Sequence, residues 1–522
     1  MFNLRLPSSN SVCCELSVRE IFAYFFVPVL LYAGFATDFT FDFFAPYKHW
    51  HAYNHYFLSL ADGRLDVPAA AIGREGSYLH GKAYMYYGVL PAFVRVFFYP
   101  FVDLTQVPVS AFSVWFFCVI GNVALQAAVL SYARQNRKHQ ADRNHVVALV
   151  LVSLLIWFGS ATFIILQRPT MYHEPYAAAL CLLNIFFALL IKDRFFLKGN
   201  HSTLAYGVLA GLCVHARMPT ALALYGATVF LIIISAACTV GASGFTAGIR
   251  NFPGLVVAAV RHHWATFAAM FLLGVSILIM NYARYEDALA FLGVNYGFGL
   301  AGEGYSPRRC GIYETSEFYR LVRMIPNTIV YTIGGWDLHE YLTRTLHTGY
   351  GRKALPIIPT LFLWLAPTLA ILASFYVLVT KRVTQRAQLL LFWLIVSVGG
   401  YFQLSYPTIN HRYIAELWPI YLFAIVLVFS TRVDGRVKWP ASFNLVAAVL
   451  VAFTLAYNLK VAFFSEYHFR TEIPEAAYFS DDPEKIAFLE QLDDEQIKRI
   501  QKEFEQGKIE GCTKLKAELN LD

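Results

Sequence analysis

The sequence predicts an all-α, polytopic membrane protein. Of its 522 residues 57% are hydrophobic, against roughly 45–50% in ordinary soluble domains. Only 15% are charged, while Phe and Tyr number 45 and 32. Mean hydropathy is +0.48. The apolar residues are gathered into eleven stretches, each long enough to be a membrane span, which takes about 20 residues. These observations exclude a wholly water-soluble chain, a disordered chain and a disulfide scaffold, since eight cysteines in 522 residues make no framework.

The stretches begin near residues 20, 109, 146, 175, 204, 220, 264, 357, 387, 413 and 442. The first follows Arg19 and runs longer than a signal-peptide core, so it is expected to stay as an anchor. Basic clusters at Arg134/Arg137/Lys138/Arg143, Lys192/Arg194/Lys198, Arg250/Arg261, Lys381/Arg382/Arg386 and Arg432/Arg436/Lys438 all fall on one side if the N-terminus is cytoplasmic. The stretch from 88 to 103 would break that register if it crossed. It also carries Arg95 and two prolines, and is predicted to be re-entrant or interfacial; a true span would make twelve crossings.

This topology describes an inner-membrane protein with a transmembrane domain over 1–464 and long outer loops at 37–108 and 282–356. An acidic, helical, extracytoplasmic tail covers 465–522. That tail holds eight Lys/Arg and fifteen Asp/Glu, leaving the rest of the chain at +14. A basic excess confined to loops between spans points to positive-inside sorting, and no nucleic-acid partner is expected.

The outer segments carry the chemistry. From Trp50 to Leu60 the spacing predicts a helix along the membrane surface, followed by a turn at Asp62-Gly63-Arg64. His51 and His55 share a face of that helix. Their spacing suits a metal, or hydrogen bonds to lipid or substrate phosphate. The short loop Arg168-Pro169-Thr170-Met171-Tyr172-His173-Glu174-Pro175 packs ionisable groups at a boundary. Pro175 fits the first helical turn, which sets Glu174 at a helix N-terminus as a cap or a reactive carboxylate. Arg217, in HARMPT, and Arg412, in NHRYIAE, sit at two further helix ends, suited to gripping phosphate or to snorkelling. Glu416, four residues beyond Arg412, could pair with it. The glycines from Gly293 to Gly304 follow no strand and make no nucleotide loop; this run is expected to cover substrate. Cys310 and Cys512 are the outer cysteines and could pair.

The order of LADGRLDVP, YLHGKAYMYYGVLPAFVR, RPTMYHEP, ARMPT, NYARYEDALAFLGVNYGF and HRYIAELWP, over residues 50 to 420, resembles the GT-C glycosyltransferase superfamily. Within it, the pattern is similar to bacterial multi-spanning relatives of lipid-linked-sugar transferases. The resemblance implies transfer of a hexose or pentose from a polyprenyl-phosphate carrier to a glycan, lipid or protein acceptor at the outer face. It also implies catalytic acidic residues in the first two outer loops. Glu174 matches the second. Tyr53 and Asn54 stand where the first would fall, so Asp42, or Asp38, takes that role. Lys82, Arg168, Arg217 and Arg412 match basic positions and would hold the phosphate, with His173 and His55 completing the substrate-binding set. No cofactor is required, although a divalent metal is admitted. A carrier or flippase of the same lipid-linked sugar is the alternative, and would need these groups accessible from both sides. A non-enzymatic envelope assembly factor would leave them purely structural.

Overall fold

The computed structural model describes residues 18–46, 50–72, 76–79, 82–135, 143–193, 199–239, 252–289, 319–334, 336–346, 352–353, 358–380, 386–406, 408–433 and 440–464. The expectations for the glycine-rich run, for Cys310 and Cys512, and for the acidic tail lie outside these residues.

All eleven apolar stretches are helical. Eight are long enough to cross a membrane: α1 (Val18–Thr37), α3 (Ser110–Gln135), α4 (Val146–Leu166), α5 (Glu174–Lys192), α7 (Met218–Ala237), α8 (Pro253–Tyr285), α14 (His411–Val433) and α15 (Ser442–Phe463). The stretch near 387 forms a pair bent by 43°, α12 (Arg386–Val396) and α13 (Val398–Ser405), while α6 (Thr203–Val214) and α11 (Leu365–Val379) are shorter. Between them lie α2 (His51–Ala61), α9 (Met324–Ile333) and α10 (Trp336–Thr345). The segment at 88–103 does not cross. Leu90–Phe97 is a 3-10 helix, and eight residues at about 2 Å rise each reach only about half of a 30 Å hydrocarbon core.

Small residues set how closely the helices approach, as in membrane bundles generally. A Cβ added at Gly121 of α3 would stand 2.7 Å from the Cys181 Cα of α5, and one at Gly207 of α6 would stand 2.6 Å from the Thr266 Cγ2 of α8. The central helix is α5, whose apolar window is 89% buried, while α8 and α15 present most of theirs outward.

Polar side chains in the interior repair broken backbone. In α4 the helix is interrupted at Gly159-Ser160, where Ser160 is extended (φ −105°, ψ 165°). Three carbonyls before the break find side-chain donors on three other helices. Tyr32 of α1 donates to Trp157 O, Asn122 of α3 to Ile156 O at 3.1 Å, and Asn458 of α15 to Phe158 O at 3.0 Å. Unpaired carbonyls at this depth would each cost several kcal/mol, so the break persists only because these donors are present.

The first long loop, expected outside, folds around a small sheet. Strands β1 (Asp66–Val67), β2 (Gly76–Leu79) and β3 (Lys82–Met85) form an antiparallel sheet in the order β1-β3-β2. The turn at Asp62-Gly63 is present, with Gly63 at φ +72°. The apolar face of helix α2 is covered by protein. Ala52, Tyr53, Tyr56 and Phe57 pack with Val67, Ile72, Met85 and Ala92 in the loop's own core. The exposed aromatic face belongs to the 3-10 segment, through Phe93, Phe97, Tyr99 and Phe101.

The described parts of the loops expected outside meet at one end of the bundle. Leu90 N donates to His215 O at 2.8 Å, and a Cβ at Gly88 would meet Ala216 O at 2.7 Å. The first loop thus seats on the α6–α7 corner. From α9, Asn327 Nδ2 donates to Leu404 O and Tyr406 O at 2.7 and 2.9 Å, capping the end of α13. Arg134, Lys192, Arg386 and Arg432 belong to the other ends of α3, α5, α12 and α14.

Candidate active site

The first loop is fastened to the bundle by a charge pair. Arg95, on the 3-10 helix, and Glu174, at the start of α5, are both 0% exposed and lock together in a two-point ion pair. Every remaining polar atom near them is used. Ser110 Oγ donates to Glu174 Oε1 at 2.8 Å, Arg95 Nη1 to Pro91 O at 3.1 Å, and Arg95 Nε to Asn54 Oδ1 at 3.0 Å. Asn54 in turn donates to Leu104 O and Val107 O at 2.8 and 2.7 Å. Such complete pairing is what buried charges need if they are to stay charged.

Beside this pair lies a cavity of about 510 Å³. Its walls come from the residues that follow β3 (Tyr86, Tyr87), the α4–α5 loop (Tyr172), α5 (Tyr176), the α6–α7 corner (Arg217), the end of α8 and the residues after it (Arg284, Asp287), Tyr319 before α9, the end of α13 (Gln403, Tyr406) and the start of α14 (Arg412, Tyr413). Seven tyrosines and three arginines therefore converge, with Asp287 as the one carboxylate among the described lining residues.

The three cations differ in their surroundings. Arg217 is neutralised: its Nε donates to Glu416 Oε1 at 2.8 Å, and Glu416 Oε2 accepts from Thr220 Oγ1 at 2.7 Å. Arg217 also donates to the Tyr176 hydroxyl and lies 4.0 Å from the centre of that ring. Burial would lower its pKa, but Tyr176 and Glu416 outweigh burial and hold it above the ordinary value. Arg284, 3% exposed, donates to the Tyr56 hydroxyl, while its Nε has no hydrogen-bond partner among the described residues. Arg412 stands 4.3 Å from the Tyr172 ring centre and 5.3 Å from that of Tyr413. Neither Arg284 nor Arg412 has a carboxylate partner among the described residues. Two guanidinium groups facing one cavity, neither ion-paired to a carboxylate among the described residues, make a candidate anion site.

The structure sorts the residues expected from sequence. Arg217 and Arg412 line the cavity. Glu416 pairs with Arg217 and not with Arg412, because His411–Leu417 is a 3-10 helix. At three residues per turn, positions four apart do not share a face. Glu174, expected as a catalytic carboxylate, lies outside the lining and is held by Arg95 and Ser110. Asp42 is exposed outside the cavity lining, with Oδ1 accepting from Phe44 N at 2.9 Å. Lys82 is exposed at the first residue of β3, likewise outside the lining. His173 is buried, with Nδ1 2.9 Å from Thr170 Oγ1. Burial first, then the neighbouring cations Arg168 and Arg412, push its pKa well below the ordinary value. Arg168 is half-buried, near enough to act on His173 but off the lining. His55 lies off it too, its ring centre 6.1 Å from that of His51, which stacks on Trp50. No group of three His, Cys, Asp or Glu side chains suited to a metal occurs among the described residues.

The pattern alone did not single out Arg95, Arg284, Asp287 or the tyrosines. Arg95 had a legible cue, a cation inside an apolar run, and Arg284 and Asp287 fall within NYARYED, a segment noted only for its order in the chain.

No protein-family model and no curated protein sequence matches this chain. Among solved structures it is similar to the archaeal oligosaccharyltransferase AglB from Archaeoglobus fulgidus in complex with an inhibitory peptide and a dolichol-phosphate. The identity is 13% and the TM-score 0.43, over 84% of this chain and 55% of that one. It is also similar to the oligosaccharyltransferase of that organism in complex with Zn and sulfate, at 14% identity and TM-score 0.44, over 84% of this chain and 53% of the other. The chain thus spans little more than half the length of these structures.

Proposed function

We propose that this protein is a GT-C-type membrane glycosyltransferase that moves a hexose or pentose from a polyprenyl-phosphate carrier to a glycan, lipid or protein acceptor at the outer face of the cytoplasmic membrane. The observation that carries the reading is the pair of guanidinium groups, Arg284 and Arg412, that face one tyrosine-walled cavity at the end of a helix bundle with no ion-pair partner among the described residues. The basic residues Arg134, Lys192, Arg386 and Arg432 occupy the opposite end, and by the positive-inside tendency this supports an extracytoplasmic cavity. Leu222, on α7, is both a cavity residue and 43% exposed on a membrane-spanning helix. With Ile277 and Phe402 it gives the isoprenoid tail an apolar way out into the bilayer.

In this reading the acceptor hydroxyl attacks the anomeric carbon directly, with inversion, as the bond to phosphate breaks. Arg284 and Arg412 meet the negative charge that grows on the departing phosphate. Because their guanidinium groups are already held against Tyr56 and Tyr172, little reorganisation is needed when that charge appears. Arg217 is held by Glu416 and turns its remaining edge to the cavity beside Tyr176. The aromatic rings offer faces against which a sugar can stack, and they exclude water from the donor.

The test is transfer of sugar from lipid-linked donors extracted from the source cells, using the full chain in nanodiscs. Arg284→Met and Arg412→Met should each lower transfer by about 10²–10³-fold, the usual loss for one preorganised charge-stabilising group. Unchanged transfer in both variants would refute the reading. Movement of the donor between leaflets with no release of polyprenyl phosphate would favour the carrier instead.

A further inference from the structure

We propose that Asp287 is the carboxylate that takes the proton from the acceptor hydroxyl, an inference resting on the transferase reading above. Several acidic side chains, Glu286 among them, stand near this end of the bundle, and of those described only Asp287 lines the cavity; Glu174, Glu416 and Asp42, the others with a bearing on the chemistry, are each held elsewhere. Glu174 is closed by Arg95 and Ser110, and Glu416 by Arg217 and Thr220. Asp42 caps its own turn outside the cavity. Asp287 alone of these lines the cavity, together with Arg217, Arg284 and Arg412. Its Oδ1 is oriented by the Leu289 N–H at 2.8 Å, and Oδ2 has no protein donor among the described residues.

The backbone explains how it gets there. Helix α8 ends with Glu286 N donating to Tyr282 O at 2.8 Å, and Glu286 itself adopts φ +56°. A left-handed conformation is uncommon for a residue with a side chain, and such conformations concentrate at functional sites. Here it ends the helix, so that Arg284, on the last turn, and Asp287, just past it, reach the same cavity. One short segment then supplies both a cation for the leaving phosphate and a base for the incoming hydroxyl.

The step balances. The acceptor oxygen forms a bond to the anomeric carbon as its proton passes to Asp287 Oδ2. The anomeric carbon–phosphate oxygen bond breaks, and its electron pair leaves with the phosphate. No oxidant or other co-reactant is needed.

The experiment compares Asp287→Asn and Asp287→Glu with the parent in a deletion strain, reading surface glycan, and in nanodiscs, reading binding of farnesyl phosphate. Asp287→Asn should lower glycan formation by about 10²–10⁴-fold, the range for a positioned general base. It should bind farnesyl phosphate at least as well as the parent, since an anion near the phosphate has been removed. Asp287→Glu should restore part of the glycan, with a shifted pH profile of transfer in membranes. Full glycan with Asp287→Asn would overturn the proposal, as would loss of farnesyl phosphate binding, which would make Asp287 a donor-binding residue. Identical glycans in parent and deletion strains would instead remove the transferase reading, and this inference with it.

Discussion

Replacing Arg95 with Met tests whether the first outer loop is held to the bundle by its ion pair with Glu174. In the parent, the Glu174 carboxylate accepts two bonds from Arg95 and one from Ser110, at 0% exposure. Arg95→Met leaves it with Ser110 alone and no counter-charge, and breaking a buried pair on one side costs about 3–5 kcal/mol. Replacing both partners, as in Arg95→Met with Glu174→Met, removes the stranded charge along with the pair. Exchanges of whole pairs for apolar groups are often neutral or stabilising, so the double variant should regain most of the loss. The assay is unfolding in mixed micelles by titration with SDS, followed by tryptophan fluorescence, with a double-mutant cycle to isolate the coupling. If the single variant unfolds at the same SDS fraction as the parent, or if the double variant is no more stable than Arg95→Met alone, the pair does not carry the loop. Measurable transfer by a refolded double variant would further confirm that Glu174 positions and does not react.

Two other outcomes follow from the geometry. Gly88→Val places a side chain against the His215 carbonyl carbon, which an added Cβ already meets at 2.6 Å. It should cost about 1–3 kcal/mol by overpacking and speed limited proteolysis within the first loop; cleavage at the parent rate would refute the seat described for that loop. For His51, burial and then the neighbouring His55 lower the pKa from 6.5 to about 4. A depressed histidine binds its proton more weakly folded than unfolded, so its effect on stability is absent above pH 6.5 and unfavourable below it. Stability should fall as pH drops from 6.5 toward 4, and His51→Gln should flatten that slope in SDS titrations at fixed ionic strength.

The fold was legible because apolar length is a local property: each stretch of about 20 residues declares itself without reference to its neighbours. The non-crossing segment was legible for the same reason, through Arg95 and its prolines. Pairings were not. Arg217 and Glu416 are 199 residues apart, and the nearer partner for Glu416, Arg412, was the natural choice until the local helix proved to be 3-10. The partners of the apolar face of α2 were not legible, because a helix packed against protein and one lying on a lipid surface share the same apolar periodicity. Glu174 was placed correctly at a helix start, but burial, which decides between a reactive and a paired carboxylate, has no local mark in the sequence.

The break in α4 sets an order on biogenesis. Its last open carbonyl, at Phe158, waits for Asn458, 300 residues further along the chain. Helix α4 therefore reaches its final shape only when α15 docks, and until then a translocating chain must either keep that stretch straight or leave one peptide oxygen to lipid or stray water.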